Sequence, residues 1–512
     1  MRRSLFCLSM SCLVSLAGCA PVDYGADQCS DFNVALAALK DVKYTTLPES
    51  EGGLTPAQRN AVDAAVFAHM GKNPEAPVPG CAVGITHGHD IAYLRGYGLA
   101  DTDFEHPRPF TVATPAAIGS ISKTLTALAA LALVEDYQLS IDQSLFDMMG
   151  EPASPFYDVT LRLALQHRGG FAADPHFLPK IFNDLPGIEA YYPDVPFPSL
   201  QPYLVLPGYR DGASQPDVPG SGPVYSNLGY SLVGALIDKR SRAADIPERM
   251  RGYERYVWHR VARGDAPYEP TLGTACLNTT FRQTDIRDLA KGYDKDGKSF
   301  IPGNIGTGWG WGGPSGGWSM TIGDLARLML ILQSDAVIPR QRIDTLMRAD
   351  NGWSGSLHLG VGLELSAENE SPPWFGKGGN AFAFTSDMKI WPQPDDANWG
   401  VAFICNRKNV DKSLTMDIHH ALSHDTGDEV LKHGPDADTK LATMFEPLVR
   451  RLAAHYLDVT RTPDAAWALA RADLLRQRGG AEVVAAIERG DLEVALRLLP
   501  SLTLRTPDGR DD

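Results

Sequence analysis

A serine and a lysine stand three residues apart, at Ser120 and Lys123, where a long apolar stretch begins. Residues 124–134 contain no Gly or Pro, are rich in Ala and Leu and are apolar almost all round, which predicts a buried helix. Residues three apart share one face of a helix, so the Lys123 amine should lie beside the Ser120 hydroxyl. Because burial disfavours the charged form of lysine, a neutral Lys123 amine would be able to take the serine's proton and make Ser120 a nucleophile.

The same spacing occurs a second time, at Ser386 and Lys389. Composition alone makes a Ser-x-x-Lys pair expected about once in a chain of this length, so the spacing by itself does not identify a catalytic pair. The second pair lies in a strand-like stretch, where an offset of three residues places two side chains on opposite faces. We therefore interpret Ser386 and Lys389 as structural residues.

Two later stretches carry polar groups that would complete a site around Ser120. Tyr225 and Asn227 flank a turn before an amphipathic helix; a phenol can carry a proton, and an asparagine both donates and accepts hydrogen bonds. On local evidence alone, the simpler interpretation of this pair is a helix cap. Farther on, Lys377 lies in the glycine-rich residues 375–380, before a predicted strand over residues 381–391. The lysine would supply a fixed positive charge, and the glycines would let a substrate backbone approach closely.

Taken in order, these motifs resemble the active-site motifs of the serine β-lactamase and penicillin-binding protein superfamily. The resemblance is closest to its class C and D-alanyl-D-alanine carboxypeptidase branch and covers roughly residues 45–425. It rests on Ser120-Ile121-Ser122-Lys123, Tyr225-Ser226-Asn227 and Lys377-Gly378-Gly379. It implies an α/β fold, a β-lactamase-like sandwich whose antiparallel sheet, built from strands near residues 80–97 and 381–406, is flanked by helices. A mostly helical region would be inserted between those strands. Past about residue 430 the family pattern stops, and the sequence there predicts a C-terminal helical extension.

The resemblance also implies an acyl-serine mechanism without a cofactor or a metal. Ser120 would be the nucleophile, Lys123 its activating partner and Tyr225 the group that carries the proton to the leaving group. The backbone N–H groups of Ser120 and Asn380 would form the oxyanion hole. The residues implied to bind the substrate are Asn227, Lys377, Gly379 and Asn380.

Two positions depart from the family pattern. Gly378 stands where the third motif commonly has the Thr of Lys-Thr-Gly, which removes a hydroxyl that would bind a substrate carboxylate and favours esters or small amides. The family's His-Thr-Ser-Gly phrase is replaced by His167-Arg168-Gly169-Gly170, so that Arg168 either supplies the missing anion contact or is simply exposed. The implied function is hydrolysis of an ester, an amide or a β-lactam. The alternative is a non-hydrolytic penicillin-binding or sensor lipoprotein.

The first residues are typical of an export signal. Arg2 and Arg3 precede an apolar run over residues 5–16, and Leu16-Ala17-Gly18-Cys19 resembles a bacterial lipobox. We expect cleavage before Cys19 and a lipid on that cysteine, which would anchor the chain in the bacterial cell envelope, facing the periplasm. An ordinary secretory signal cut nearby is the alternative, and in either case the mature chain is exported.

The predicted domain organisation has four parts, which are a signal peptide over residues 1–18, a tether over 19–47, a hydrolase domain over 48–428 and a helical extension over 429–512. Besides Cys19, the mature chain would keep four cysteines, Cys29, Cys81, Cys276 and Cys405. An exported protein can form disulfides, and the spacing of these cysteines does not decide which of them pair.

The charge of the chain restricts its partners. The net charge is −15 for 512 residues, and loss of residues 1–18, which hold two arginines and no acidic residue, makes it −17. A surface this acidic repels phosphate backbones, so we do not expect nucleic acid as a partner. The expected partner is a small-molecule or peptide-like substrate, the expected membrane contact is the lipid anchor alone, and the oligomeric state is left open.

Overall fold

A computed structural model of the protein describes most of the chain between residues 53 and 423. The described residues are 53–73, 77–102, 108–150, 158–170, 219–243, 245–247, 250–262, 276–277, 289–294, 300–301, 313–381, 383–423 and 484–485. The predicted signal peptide, the lipobox with Cys19, the tether and Cys29 lie outside the described residues. Of the predicted helical extension, only residues 484–485 lie within them.

Within the described residues, the strands are short except in one large sheet. In chain order, β1 to β14 are Gly80–His87, Asp90–Asp101, Arg108–Pro109, Ala116–Ala117, Cys276–Leu277, Gly292–Tyr293, Phe300–Ile301, Trp318–Met320, Trp353–Ser354, Leu357–His358, Glu364–Leu365, Phe375–Ala381, Phe384–Trp391 and Trp399–Cys405. The α-helices α1 to α10 are Pro56–Met70, Ser122–Asp136, Leu145–Met148, Leu161–Leu165, Asn227–Ser241, Tyr253–Val257, Gly313–Gly316, Ile322–Ile331, Arg340–Arg342 and Leu414–Ser423. No helix among the described residues has both the length and the apolar character needed to cross a membrane.

The large sheet is antiparallel and joins strands from residues 80–109 to strands from residues 364–405. Its seven strands run in the order β11-β12-β13-β14-β1-β2-β3. At its centre β1 pairs with β14, with Cys81 opposite Cys405, and these two cysteines form a disulfide. The predicted antiparallel sheet with flanking helices is therefore confirmed, and the disulfide partner that the cysteine spacing left open is identified for this pair.

The prediction that the glycine-rich residues 375–380 lie before a strand over residues 381–391 was wrong in one respect. Residues 375–381 are not a lead-in to a strand; they form strand β12, and the next strand begins only at Phe384. Gly379 of β12 lies so close to the main chain of the Ser120 segment that an added Cβ would overlap the Ile118 carbonyl oxygen. Glycine weakens a strand in isolation, and here it is required because two backbones pass in direct contact.

The two faces of the large sheet bury separate cores. On one face α1 and α10 pack against alternate side chains of the central strands, among them Val83 and Phe403. On the other face α8 packs against the intervening residues, among them Ala82 and Ile404, and α2 and α5 belong to the same core. Successive side chains of a strand point to opposite faces, so one strand serves both cores.

Helix α2 lies inside the larger core. Every side chain from Ser122 to Leu133 is buried, as its apolar composition on all sides predicted. A 3₁₀ turn, Gly119–Ile121, precedes the helix and carries Ser120. Gly119 has φ +53° and its Cβ would come within 2.7 Å of the Asn380 backbone. The turn is thus pressed against β12, and this contact brings the first and third motifs together.

Asn406 offers a test of how the sheet is stabilised. Its buried amide accepts from the Gly80 N–H (2.8 Å) and donates to the Leu99 carbonyl (2.9 Å), which joins β14 to β1 and β2. Asn406→Leu keeps the size of the side chain but leaves these backbone groups unpaired, so we expect the free energy of unfolding to fall by about 2–4 kcal/mol in urea titrations followed by circular dichroism. The exposed Gln341→Ala change should leave the midpoint nearly unaltered. Equal midpoints for both variants would contradict this role of Asn406.

Candidate active site

The turn before α2 and the first turn of the helix place Ser120 and Lys123 side by side. The Lys123 amine lies 3.2 Å from the Ser120 hydroxyl, which is partly exposed, whereas Lys123 is completely buried. The amine also donates to Asn227 Oδ1 (2.7 Å) and to the Ser315 carbonyl (2.6 Å). An ammonium group donates hydrogen bonds and accepts none, and each of these three partners offers it an oxygen acceptor. The predicted proximity is present, but this set of acceptors suits a charged lysine rather than the neutral amine expected from burial alone.

The segment before α5 carries both a helix cap and two side chains of the site. Ser226 is the N-cap, and its hydroxyl accepts a hydrogen bond from the Gly229 N–H. Tyr225 and Asn227, on either side of the cap, both reach Lys123: the Tyr225 ring centroid lies 4.9 Å from its Nζ, and Asn227 accepts its hydrogen bond. The two interpretations of this segment are therefore compatible, because the cap is the residue between the two candidate site residues.

The phenol of Tyr225 has an unusual electrostatic environment. It lies within hydrogen-bonding reach of Ser120, Lys123 and Lys377. Burial on its own would raise the pKa of Tyr225, but the positive charges of Lys123 and Lys377 outweigh that effect and lower the pKa to about 8. A phenol with this pKa is partly ionised near neutral pH and can accept a proton from a neighbouring hydroxyl.

His167 packs against the segment that carries Tyr225. Its ring stacks on Tyr225 with centroids 4.5 Å apart, and its Nδ1 accepts the Ser226 N–H at 3.0 Å. Burial, with the charges of Lys123 and Lys377, holds the pKa of His167 well below its usual range, so the imidazole is neutral and Nδ1 is free to accept. This role of His167 was not predicted, because stacking between residues from distant segments leaves no local pattern in the sequence.

Lys377 reaches the site from β12 and is paired with a residue that the sequence analysis missed. Its amine lies 5.2 Å from the Tyr225 ring centroid and forms a buried ion pair with Glu364 of β11. Burial would lower the pKa of Lys377, but Glu364 and then Tyr225 raise it above its usual value, so the lysine stays charged. Glu364 also accepts from the Gly378 N–H at 3.2 Å. Nothing in the sequence around Glu364 indicates this contact.

Two backbone segments meet beside Ser120. Gly379 lies against the Ile118 carbonyl, and a Cβ at Gly119 would come within 2.7 Å of the Asn380 backbone nitrogen. The Asn380 side chain is exposed. The two N–H groups predicted for the oxyanion hole, those of Ser120 and Asn380, thus belong to adjoining segments.

Comparison with known families decides what kind of protein this is. A family model described as Beta-lactamase matches residues 62–426. The chain belongs to the β-lactamase family. It is therefore a serine hydrolase of the β-lactamase and penicillin-binding protein superfamily, as the three ordered motifs implied.

Solved structures share the fold of this β-lactamase-family protein. The octameric penicillin-binding protein homologue from Pyrococcus abyssi is 21% identical, with a TM-score of 0.54 over 72% of this chain and 78% of that chain. D-alanine carboxypeptidase AmpC from Burkholderia cenocepacia is 21% identical, with a TM-score of 0.52 over 72% of this chain and 98% of that chain. A class C β-lactamase is 20% identical, with a TM-score of 0.54 over 73% of this chain and 97% of that chain. At these identities the likeness shows the fold alone. No curated protein sequence matches the chain.

Arg168 of the β-lactamase-family protein fits neither of the two expectations for it. The guanidinium is half-buried and donates to the carbonyls of Ser221, at 2.8 Å, and Gly220. It therefore holds the segment that leads to Tyr225. Since its donors are directed at main-chain oxygens, it is not the replacement for the hydroxyl missing at Gly378.

The second Ser-x-x-Lys pair is separated by the sheet. The Ser386 hydroxyl donates to the Ile118 carbonyl at 2.8 Å, on the face of α2, whereas Lys389 forms an ion pair with Asp387 and donates to Thr415 on the other face. The two side chains point away from each other, in agreement with the offset of three residues in a strand.

The environment of Tyr225 predicts a measurable ionisation. The difference in near-ultraviolet tyrosinate absorbance between wild type and Tyr225→Phe should have a midpoint at a pH of about 8. The double variant Lys377→Met, Glu364→Gln removes one positive charge without leaving a buried carboxylate unpaired, so the phenolate loses stabilisation and the midpoint should move up towards 10.0, the usual value. A midpoint that is the same in both backgrounds would contradict the assigned cause.

Proposed function

We propose that this protein is an envelope-anchored acyl-hydrolase that forms an acyl-serine intermediate with an ester, amide or β-lactam substrate. The observation that carries the proposal is the grouping of Ser120 with Lys123, 3.2 Å away, and with the phenol of Tyr225, whose pKa is lowered to about 8. A nucleophile, a base and fixed positive charge thus lie together at the partly exposed end of a buried helix.

In the proposed acylation, the Tyr225 phenolate takes the proton of the Ser120 hydroxyl as Oγ attacks the substrate carbonyl carbon. The Lys123 ammonium stays charged and keeps the phenolate accessible near neutral pH, so it activates the serine through Tyr225 rather than by taking the proton itself. The N–H groups of Ser120 and Asn380 would bind the oxyanion of the tetrahedral intermediate. When the bond to the leaving group breaks, Tyr225 returns the proton to the departing oxygen or nitrogen.

Deacylation would use the same groups in the same order. Tyr225, again a phenolate, takes a proton from water while the water oxygen attacks the acyl carbon. It then returns that proton to Ser120 Oγ as the ester bond breaks and the carboxylic acid leaves. Every proton taken is thus given back, and the site needs no further reactant.

Substrate orientation would depend on Asn227. Its Oδ1 accepts the Lys123 hydrogen bond, which leaves the N–H bonds of the amide to donate to a substrate carbonyl. An amide or ester carbonyl held in this way would lie beside Ser120. The same contact would fix the side-chain rotamer of Asn227, because both ends of its amide would be engaged.

The hydrolytic role of Ser120 can be tested with a chromogenic ester and a chromogenic β-lactam. Ser120→Ala should lower kcat/KM by at least about 10³-fold, because the acyl intermediate cannot form. Ser423→Ala, a change at the exposed end of α10, should leave turnover unaltered. Equal turnover by wild type and Ser120→Ala would refute the proposal. A long-lived adduct on Ser120 without product, seen by intact-protein mass spectrometry, would favour the sensor alternative.

The proposed anchor has its own test. In a bacterial host with lipoprotein processing, the wild-type chain should be found in the membrane fraction and carry a lipid on Cys19. Cys19→Ser should move the protein to the soluble periplasmic fraction with its hydrolytic activity intact, because the anchor is separate from the site. Wild-type protein without lipid in that host would exclude the lipobox and favour an ordinary secretory signal.

A further inference from the structure

The short segment that carries Tyr225 is extended, and its backbone N–H groups are held from two sides. Ser226 has φ −131° and ψ 125°, and in an extended chain successive N–H groups point in opposite directions. The Val224 N–H donates to the His167 carbonyl at 2.8 Å, and the Ser226 N–H donates to His167 Nδ1 at 3.0 Å. The Tyr225 N–H, between them, donates to Ser354 Oγ at 2.8 Å. The segment is therefore clamped between His167 and strand β9.

His167 makes these contacts from an unusual backbone conformation. Its φ is +58°, and it follows the C-terminal end of α4. The His167 N–H donates to the Ala164 carbonyl at 3.2 Å, and the Arg168 N–H donates to the Leu163 carbonyl at 2.8 Å, which is the Schellman pattern of a helix end. Glycine is usual at this position, so the side chain is present at a cost in backbone energy. Such strain is typical of residues with a functional role.

The imidazole ring lies against the proposed base. Its centroid is 4.5 Å from that of Tyr225, with an angle of 23° between the planes, and 5.0 Å from that of Tyr230. Tyr230 is itself fixed, because its hydroxyl donates to a main-chain carbonyl at 2.8 Å. The Tyr225 ring also has the amines of Lys123 and Lys377 at 4.9 and 5.2 Å from its centroid. The imidazole and the two amines together define where the phenol lies.

Only a neutral imidazole can make these contacts. With Nδ1 accepting a backbone N–H, the proton of the ring must lie on Nε2, whereas an imidazolium donates from both nitrogens. The charged and titratable groups that face the ring are Lys123, Lys377, Tyr225 and Tyr230. Burial, and then the charges of the two lysines, hold the pKa of His167 well below its usual range. The lysines that stabilise the phenolate therefore also keep the imidazole neutral.

We propose that His167 is a positioning residue, which as a neutral imidazole holds the Tyr225 phenol beside the amines of Lys123 and Lys377. Its Nδ1 fixes the backbone of the segment, and its ring fixes the phenol and excludes water from one side of it. The inference rests on the proposed function, in which Tyr225 is the base, and names the residue on which that base depends. His167 takes no proton during the reaction and acts through Tyr225.

The test uses two substitutions that tolerate a positive φ. His167→Gly removes both side-chain contacts, whereas His167→Asn keeps an acceptor, because Oδ1 is bonded to Cγ as Nδ1 is in histidine. In each background the tyrosinate absorbance is compared with that of the same protein carrying Tyr225→Phe. Without the imidazole the phenol can move away from the two amines, so the midpoint should rise from about 8 towards 10.0 in His167→Gly. The midpoint of His167→Asn should lie between those of His167→Gly and wild type.

Hydrolysis of a chromogenic ester should show the same change as a dependence on pH. A midpoint near 10 instead of 8 leaves about one hundredth of the Tyr225 phenolate at pH 7. His167→Gly should therefore lower kcat/KM about a hundredfold at pH 7, mainly through kcat, and much less above pH 10. His167→Asn should recover about tenfold of that loss. A fraction of unfolded protein would instead lower kcat/KM by the same factor at every pH.

The matched control removes a stacked imidazole elsewhere. His87 is exposed at one end of β1, and its ring stacks on Trp399 with centroids 4.1 Å apart. Asn380 of the site is in register, through β13 and β14, with Cys81 of the same strand, about 20 Å from His87. His87→Asn should leave both the Tyr225 midpoint and the pH dependence of kcat/KM as in wild type.

Two results would overturn the inference. One is a His167→Gly protein that is folded by circular dichroism and has the Tyr225 midpoint and the kcat/KM of wild type. The other is a His167→Asn protein no closer to wild type than His167→Gly, which would refute the role of Nδ1. If neither variant folds, nitrogen NMR of ¹⁵N-histidine-labelled wild type decides, with the resonance identified by its response to Tyr225→Phe. A proton on Nε2 alone while Tyr225 titrates supports the inference, and a proton on Nδ1 refutes it.

The failure of this inference can be told apart from failure of the proposed function. The Tyr225 midpoint is measured without substrate, so it reports on His167 even if wild type hydrolyses no ester. If turnover depends on Ser120 but neither the midpoint nor the pH dependence responds to His167→Gly, the hydrolase stands and the role of His167 falls.

Discussion

Two buried ammonium groups on either side of one phenol are the interaction on which the site depends. A buried charge is costly unless fixed partners compensate for lost water, and each lysine has such partners. Lys123 donates to Asn227 and to the Ser315 carbonyl, and Lys377 is paired with Glu364. Because these partners come from α5, α7 and β11, the low pKa of Tyr225 is a property of the whole fold.

The need to bring both lysines to Tyr225 also explains why glycines occupy the contact between the Ser120 turn and β12. The turn that bears Ser120 must touch β12 so that Lys377 can reach the phenol. Gly119 and Gly379 allow that contact, since a Cβ at either position would collide with the opposing main chain. Helix α2, buried on all sides, then holds the turn in place from beneath. Close backbone packing and charge placement are thus two aspects of one arrangement.

Much of this arrangement was predictable from the sequence, and the rest was not for identifiable reasons. The buried helix followed from apolar composition and the proximity of Ser120 to Lys123 from helical spacing, whereas the antiparallel sheet was implied by the family resemblance. Strand β12 was missed because its glycines have low strand propensity, and only tertiary contact accounts for them. Glu364 was missed because a charge partner supplied by a neighbouring strand has no fixed spacing in sequence.

The lysines near the site have different effects because they have different charged neighbours. Lys377 was expected to bind the substrate with a fixed positive charge, but its charge is offset by Glu364, so its effect is strongest at short range, on Tyr225. The space beside Gly378 is filled by the Lys412 amine; burial lowers the pKa of Lys412, and the neighbouring carboxylates Asp387 and Glu364 oppose that effect. A motif position that has lost a side chain is therefore interpreted correctly only together with the group that fills its space.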